Sequence, residues 1–349
     1  MTKKEKVFVG ISGGVDSSVA AFLLKKEGYE VHGIFVKTWS PEWLPCTWVN
    51  EKRDAMRVCA HLDIPFHFLD AEEAYKKGVA DYMIAEYRAG RTPNPDVLCN
   101  RIIKFGVMWE YAKKHDAAYI ATGHYAQINN GTIQRAVDPT KDQSYFLWML
   151  TKEDIAHTLF PIGHLEKKEV RSIAKKVGLF TEEKKDSQGI CFLGDVDMQA
   201  FLEHYIEQKN GAVVNEKGEI IGSHRGVWFY TLGERHGFSI QAATTNQKPY
   251  YVIGKNIENN TLVVGNERKT STKLHEEQKI ILRDSSWNDS LSTVVTSNYR
   301  YHGASVPTRV VTNETVIIAS HEPIALGQSL VCFSEEGRLI GGGIIDAIE

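Results

Sequence analysis

Ser12-Gly13-Gly14-Val15-Asp16-Ser17-Ser18 joins an apolar run at residues 7–11 to a stretch of helical period at about 17–27, which Gly28 closes. Two glycines let backbone N–H groups approach a ligand closely. Serine hydroxyls add donors, and a helix N-terminus adds partial positive charge, so the run reads as an anion site. It lacks the GK[ST] ending of a Walker loop and does not fit GxGxxG. The plainer alternative is a helix after a glycine turn, with Asp16 or Ser17 as N-cap. Its place after a first buried strand weakens that alternative, because open α/β sheets bind ligands at the carboxyl ends of their strands.

The rest of the first half repeats the pattern. Strands are expected at 7–11, 31–37, 66–69 and 118–121, and helices at 17–27, 51–61, 72–88 and onward to about 115. Arg91-Thr92-Pro93-Asn94-Pro95-Asp96 is expected to be non-helical, since each proline restricts itself and its predecessor. Alternating strands and helices imply an α/β domain, a parallel sheet with helices on both faces. From Gly211 onward short alternating strands dominate, punctuated by Asn215-Glu216-Lys217-Gly218, Glu258-Asn259-Asn260 and Glu335-Glu336-Gly337. That half reads as β-rich, sandwich or barrel. A chain of 349 residues exceeds one ordinary core. The expected units are 1–205, 206–272 and 273–349, the last break falling in the charged, Ser/Thr-rich stretch 267–279.

The formal net charge of −3 gives a nucleic-acid partner no support in bulk, so such a partner would need a local basic face. The basic start and apolar residues 7–24 imitate a signal peptide. The polar Ser12-Gly13-Gly14 and Asp16 interrupt it, no small-residue cleavage site follows, and no apolar run is long enough to span a membrane. A cytoplasmic protein is expected. Five cysteines without a CxxC pair argue against a disulfide scaffold and against zinc, and no dedicated metal site is expected.

Cys59 and Cys332 sit among apolar neighbours and read as core filler; Cys46, beside Pro45, stays open. Cys99 follows the polar, proline-rich Asn94-Pro95-Asp96-Val97-Leu98 at the expected start of a helix, where N–H groups and the helix dipole favour a thiolate. Asp96 is placed to cap that helix or to handle a proton. Cys191, in Asp186-Ser187-Gln188-Gly189-Ile190-Cys191, is either a buried hydrophobe or chemistry. Gly123-His124 ends a later strand; a lone histidine such as His124 is more often a satisfied structural one. Three tryptophans, Trp39, Trp43 and Trp48, share one loop and more often pack on their own protein than on a ligand.

SGGVDS resembles the PP-loop of the ATP-pyrophosphatase superfamily, which cleaves ATP between its α and β phosphates. The likeness runs further. GISGGVDSS at 10–18, AGRTPNPDVLCN at 89–100, YIATGHYA at 119–126, KDQSYFLWML at 141–150, KKDSQGICF at 184–192, YTLGERHG at 230–237 and GGGII at 341–345 are similar to strings of the tRNA-specific 2-thiouridylases. That resemblance implies a PP-loop α/β domain followed by a β-rich central domain and a C-terminal β-barrel. It implies ATP and Mg2+, with ATP on Gly10, Ile11, Ser12, Gly13, Gly14, Val15, Asp16, Ser17, Val36 and Gly123, and Asp16 as the acid nearest the metal. It implies sulfur transfer to the wobble uridine of tRNAs reading Glu, Gln and Lys codons. Cys191 would carry a persulfide loaded by an upstream sulfur carrier, Cys99 would form a transient disulfide with Cys191, and Asp96 would act as acid/base. Asn94, Pro95 and Asp96 would meet the target base; Lys141, Asp142, Gln143, Arg300 and Tyr301 would meet tRNA. The plainer alternatives are that Asp142 opens a helix at 145–150 and that Arg300-Tyr301 is an exposed strand position. Lys175-Lys176 and Lys184-Lys185 could touch phosphates, though such lysines are usually only solvated. One departure stands out: Arg101-Ile102 replaces the family's Lys-Glu, which puts a local polar contact in doubt. Two rivals remain, a PP-loop amide or C–N ligase and an RNA-binding protein with a vestigial loop.

Overall fold

The computed structural model describes residues 4–45, 47–185, 197–241, 248–266, 277–320 and 322–349. Cys46, Cys191 and most of the 267–279 boundary stretch lie outside the described residues.

β1 (Lys6–Gly10), β2 (Glu30–Lys37), β3 (Phe66–Asp70), β4 (Tyr119–Ala121) and a two-residue strand at Thr158–Leu159 form one parallel sheet. β1 is central, with β2 and β3 on one side and β4 and the short strand on the other. Alternation along the strands divides the core. Phe8, Ile34, Val36 and Ile120 face one layer; Val7, Val9, Ile11, Phe35 and Ala121 face the other. A strand buried on both faces needs apolar residues at every position, and β1 meets that need. The chain order reverses between β1 and β4, which opens a crevice beyond their carboxyl ends.

α1 (Val15–Glu27) follows β1 and ends on Gly28, whose φ of 100° lets its N–H reach the carbonyls of Leu24 and Lys25. α2 (Trp48–His61) packs on the same face as α1, through Ala55, Val58 and Cys59. A long helical stretch covers the other face. It begins at Pro95–Leu98, widens to a π-helical segment over Cys99–Val107 and continues as Met108–Lys113. This corrects the expectation that the whole of 91–96 is non-helical. Asn94 is the N-cap and Pro95 the first helical residue, a position where the missing N–H costs nothing.

The second half is β-structured, as expected from Gly211 onward. Five strands, in the order Ser239–Ile240, Ile220–His224, Gly211–Val214, Thr261–Gly265, Tyr251–Asn256, make one mixed sheet. The six strands Glu277–Trp287, Thr296–Asn298, Val306–Thr312, Thr315–Ala319, Ser329–Phe333 and Leu339–Ile348 close into a barrel. The barrel packs around its own core of Ile280, Leu282, Val316, Ile318, Leu330, Ile340 and Ile345. No helix among the described residues is long and apolar enough to cross a membrane.

Candidate active site

The loop after β1 lies in the crevice where the sheet reverses. Ser12 and Ser17 close it from within: Ser12 N donates to Ser17 Oγ at 3.3 Å, and Ser18 Oγ donates to Gly14 O at 2.7 Å. Gly13 has a φ of 74°, and a Cβ there would come 2.9 Å from Asp54 Cβ, so only glycine fits. The N-cap of α1 is Gly14, with no side-chain cap. The expectation that Asp16 or Ser17 caps this helix is therefore corrected: Val15, Asp16 and Ser17 already lie inside the first turn. A helix N-terminus without a side-chain cap leaves its N–H groups for an anion.

Three side chains remote in sequence converge on this loop. Lys167 Nζ lies 2.7 and 2.8 Å from the two carboxylate oxygens of Asp16. The Tyr125 hydroxyl donates to Asp16 Oδ1 at 2.8 Å. Lys184 Nζ donates to Gly13 O at 3.0 Å and pairs with Asp54 at 2.9 Å. Lys184 is thus not a merely solvated lysine. Lys167 and Tyr125 were not singled out from the sequence. Tyr125 lies within YIATGHYA, while Lys167 carries no local signal.

Gly123 follows β4 and presses on α1. A Cβ there would meet Ser17 N at 2.7 Å and the Asp16 carbonyl carbon at 2.8 Å. Gly10 ends β1 under Met108, and Ile11 and Val36 are buried on opposite faces of the sheet. His124 is buried; its Nδ1 shares a 2.7 Å hydrogen bond with Thr122 Oγ1, and Nε2 stands 3.5 Å from Lys104 Nζ. Burial, then the Lys104 charge, holds this imidazole well below the usual histidine range.

The helical stretch carrying Cys99 packs beside this loop: a Cβ at Gly10 would meet Met108 Sδ at 3.4 Å, and Lys104 Nζ stands 3.5 Å from His124 Nε2. Cys99 is fully buried in the apolar cluster on this face of the sheet, although its sequence neighbours are polar and proline-rich. It is the fifth helical residue, one turn past the helix start. Asp96 lies in the first turn and does not supply the cap, which corrects that part of the expectation. Arg101 pairs with Asp154 at 2.8 Å, and Ile102 packs against Gly78, so apolar packing occupies the place of the family's acid.

The RNA-directed positions divide. Asn94 hydrogen-bonds Tyr145, whose hydroxyl donates to Ser329 O in the barrel at 2.9 Å. Tyr301 packs on Phe146 with ring centroids 4.4 Å apart and ring planes tilted by 46°. Burial, then the charges of Asp142 and Asp96, pushes its phenol up to about 12. The structure thus brings Asp96, Asp142 and Tyr301 into one neighbourhood from two domains. Arg300 lies beside them and pairs with Glu322. Arg300-Tyr301 stands in a turn after Thr296–Asn298, not on a strand. Asp142 accepts from Ala136 N at 3.0 Å, from Ser144 Oγ at 2.9 Å and from Arg135 at 3.2 Å. It precedes a single 3-10 turn, Ser144–Leu147, rather than a helix over 145–150. Gln143 clamps Tyr125, accepting from its N–H at 3.0 Å and donating backbone N–H to its carbonyl at 2.8 Å. Lys141 is half-buried, its N–H donating to Asp138 O at 3.1 Å.

The other thiols and the tryptophans follow the plainer reading. Burial pushes the Cys59 thiol up to about 12 and that of Cys332 further up. Trp43 stacks on His204 at 3.7 Å, and Trp39 lies against Tyr205.

Among the described residues no cluster of three or more His, Cys, Asp or Glu could hold a metal. Asp16, the acid nearest the loop, is already engaged by Lys167 and Tyr125. The described side chains form no resident Mg2+ site.

Comparison with known proteins places these residues in context. Residues 5–195 match the tRNA methyl transferase HUP domain model, and residues 199–266 match the tRNA methyl transferase PRC-barrel domain model. The closed barrel lies beyond both matches. The tRNA-specific 2-thiouridylase of Enterococcus faecalis is 41% identical, covering 98% of this chain and 96% of its own. That of Lysinibacillus sphaericus is 42% identical, covering 98% and 94%. A solved 4-thiouridine synthetase–RNA complex with bound ATP is 21% identical over 54% of this chain and 44% of that one, with a TM-score of 0.34, too slight a likeness to build on. With more than two-fifths of positions shared from end to end, the chain belongs to the tRNA-specific 2-thiouridylase family.

Proposed function

We propose that the protein is a tRNA sulfurtransferase that replaces O2 of the wobble uridine with sulfur at the expense of ATP. The observation that carries this reading is an uncapped helix N-terminus with Lys167 and Lys184 bonded at its loop, beyond a strand on whose last residue, Gly10, the helical stretch bearing Asp96 and Cys99 packs through Met108. The names of its full-length relatives supply the substrate class. Methyl transfer, the word attached to the matched domain models, would need neither the phosphate loop nor a thiol.

ATP binds with its phosphates on residues 12–17 and its adenosine along Gly10, Ile11, Val36 and Gly123. Mg2+ is kept on the triphosphate itself, and no step is assigned to it. A uracil oxygen is a poor leaving group, and bonding O2 to the α-phosphorus makes it a good one while pyrophosphate departs. The outer sulfur of a Cys191 persulfide, loaded by an upstream carrier, then attacks C2. Asp96 takes the proton that this sulfur loses, the C2–O2 bond breaks, and AMP leaves with the oxygen. The Cys99 thiolate attacks Cys191 Sγ, leaving the outer sulfur on C2 and closing a Cys99–Cys191 disulfide. A dithiol reductant restores both thiols.

Asn94, Pro95 and Asp96 meet the flipped base, and Lys141, Asp142, Gln143, Arg300 and Tyr301 form the rim facing tRNA. Units 1–205, 206–272 and 273–349 divide the work between chemistry and RNA binding. The test is nucleoside mass spectrometry of unmodified tRNA incubated with protein, ATP, Mg2+ and a persulfide donor. 2-Thiouridine at the wobble position is expected. Its absence with folded, ATP-binding protein overturns the reading and leaves the ligase or vestigial-loop rivals.

A further inference from the structure

The segment leading into Asn94, Asp96 and Cys99 is held from both β-rich units. Pro93 and Pro95 remove two N–H groups from it, and no regular ladder can pair the carbonyls around them, so their donors must come from elsewhere. From the mixed sheet, Lys255 Nζ donates to Gly90 O at 2.6 Å and to Tyr230 O at 2.8 Å. Thr231 Oγ1 lies 3.2 Å from Thr92 Oγ1. Ile257 covers Gly90 so closely that a Cβ there would come 2.2 Å from its Cδ1. From the barrel, Leu326 O accepts Thr92 N–H at 2.8 Å, and Gln328 Nε2 donates to Thr92 O at 3.0 Å and to Pro93 O at 3.4 Å. At the base, buried Glu86 takes Arg91 in two bonds of 2.8 and 2.6 Å and Arg283 of the barrel at 2.6 Å.

We propose that Lys255 and Gln328 are positioning residues for thiolation: from the central sheet and the barrel they fix residues 90–93, and so aim Asp96 and Cys99 at the base. This rests on the function proposed above. Neither side chain touches the reacting atoms. Both act through the backbone path of residues 90–93, and their effect is therefore on turnover rather than on nucleotide binding. The β-rich units then do more than hold RNA, because Lys255 and Gln328 from them fix the segment that leads into Asp96 and Cys99.

The full-length protein carries the test, as Lys255→Met, Lys255→Arg and Gln328→Leu variants. Hydrogen–deuterium exchange is read on peptides covering 89–100 and on α1, alongside steady-state thiolation. Amides at 90–94 in Lys255→Met and Gln328→Leu are expected to exchange about tenfold faster, with α1 unchanged. Thiolation kcat is expected to fall about tenfold while the KM for ATP stays within twofold, and Lys255→Arg is expected to recover most of kcat. Wild-type exchange at 90–94, or an unchanged kcat, in both Lys255→Met and Gln328→Leu overturns the proposal. Should Lys255→Met fail to fold, Gln328→Leu, changed at a half-buried side chain, decides alone. A wild-type protein that makes no 2-thiouridine refutes the function, while faster exchange at 90–94 still upholds the tether.

Discussion

The Tyr125 hydroxyl donates a 2.8 Å hydrogen bond to Asp16, tying the loop after β4 to the first turn of α1. Gln143 grips the Tyr125 backbone from both sides, so Asp16 is braced by Tyr125, 109 positions on, and Tyr125 in turn by Gln143, 18 positions further. Lys167 completes the arrangement by pairing with both carboxylate oxygens of Asp16.

Tyr125→Phe keeps the ring and loses the bond to Asp16. A hydrogen bond to a charged group contributes about 1.5–3 kcal/mol. ATP affinity is expected to fall about 3- to 10-fold by calorimetry, with the fold intact. Lys167→Met is expected to weaken ATP binding more, because it leaves Asp16 repelling the triphosphate. Unchanged affinity in both variants would contradict the assigned role of Asp16.

Gly123→Ala is expected to be severe for its size. The new methyl meets backbone atoms of Asp16 and Ser17, which cannot rotate away. Overpacking of this kind costs about 1–3 kcal/mol, and here it also displaces the helix N-terminus that would hold phosphate. The expected result is at least a tenfold loss of ATP affinity with a modest fall in urea midpoint.

What was legible in the sequence was local. A buried apolar run and a terminal glycine mark β1, α1 and the Gly28 cap without reference to anything distant. The glycine pair marks an anion loop for the same reason. The partners of that loop were not legible, since Lys167 and Lys184 reach Asp16 and Gly13 across more than 150 residues and need the third dimension. The proline rule excludes helix at Pro95 and Asp96, two residues too far, because the first helical turn tolerates proline. The plainer alternative of a strand at Arg300-Tyr301 missed a local turn, which Gly303 N–H closes on Arg300 O at 3.1 Å and Asn298 closes on Gly303 O at 2.8 Å. The second cysteine and the sulfur chemistry rested on resemblance, and Cys191 lies outside the described residues.

Burial keeps His124 neutral, so acid should weaken the fold. The imidazole binds a proton near pH 6.5 when unfolded and not when folded; the unfolded state therefore gains protons as pH falls. Stability is expected to be full above pH 6.5 and to drop by up to about 1.4 kcal/mol per pH unit below it from this residue. Urea unfolding at pH 7.5 and 5.5 checks this. His124→Gln should lose about 1 kcal/mol less than the unsubstituted protein over that interval, and an equal loss would contradict the assignment.

Cys99→Ser and Cys191→Ser are each expected to abolish thiolation while leaving ATP binding within twofold. Full activity in either variant would rule out the two-thiol exchange. Cys59→Ala, in the apolar core, should lower stability without abolishing thiolation.

The central claim is that ATP activates the very oxygen that sulfur replaces. It is tested by thiolating a tRNA whose wobble uridine carries 18O at C2 and weighing the AMP released. One 18O atom in the AMP phosphate for each 2-thiouridine formed is the predicted result. 2-Thiouridine accompanied by unlabelled AMP would contradict the account.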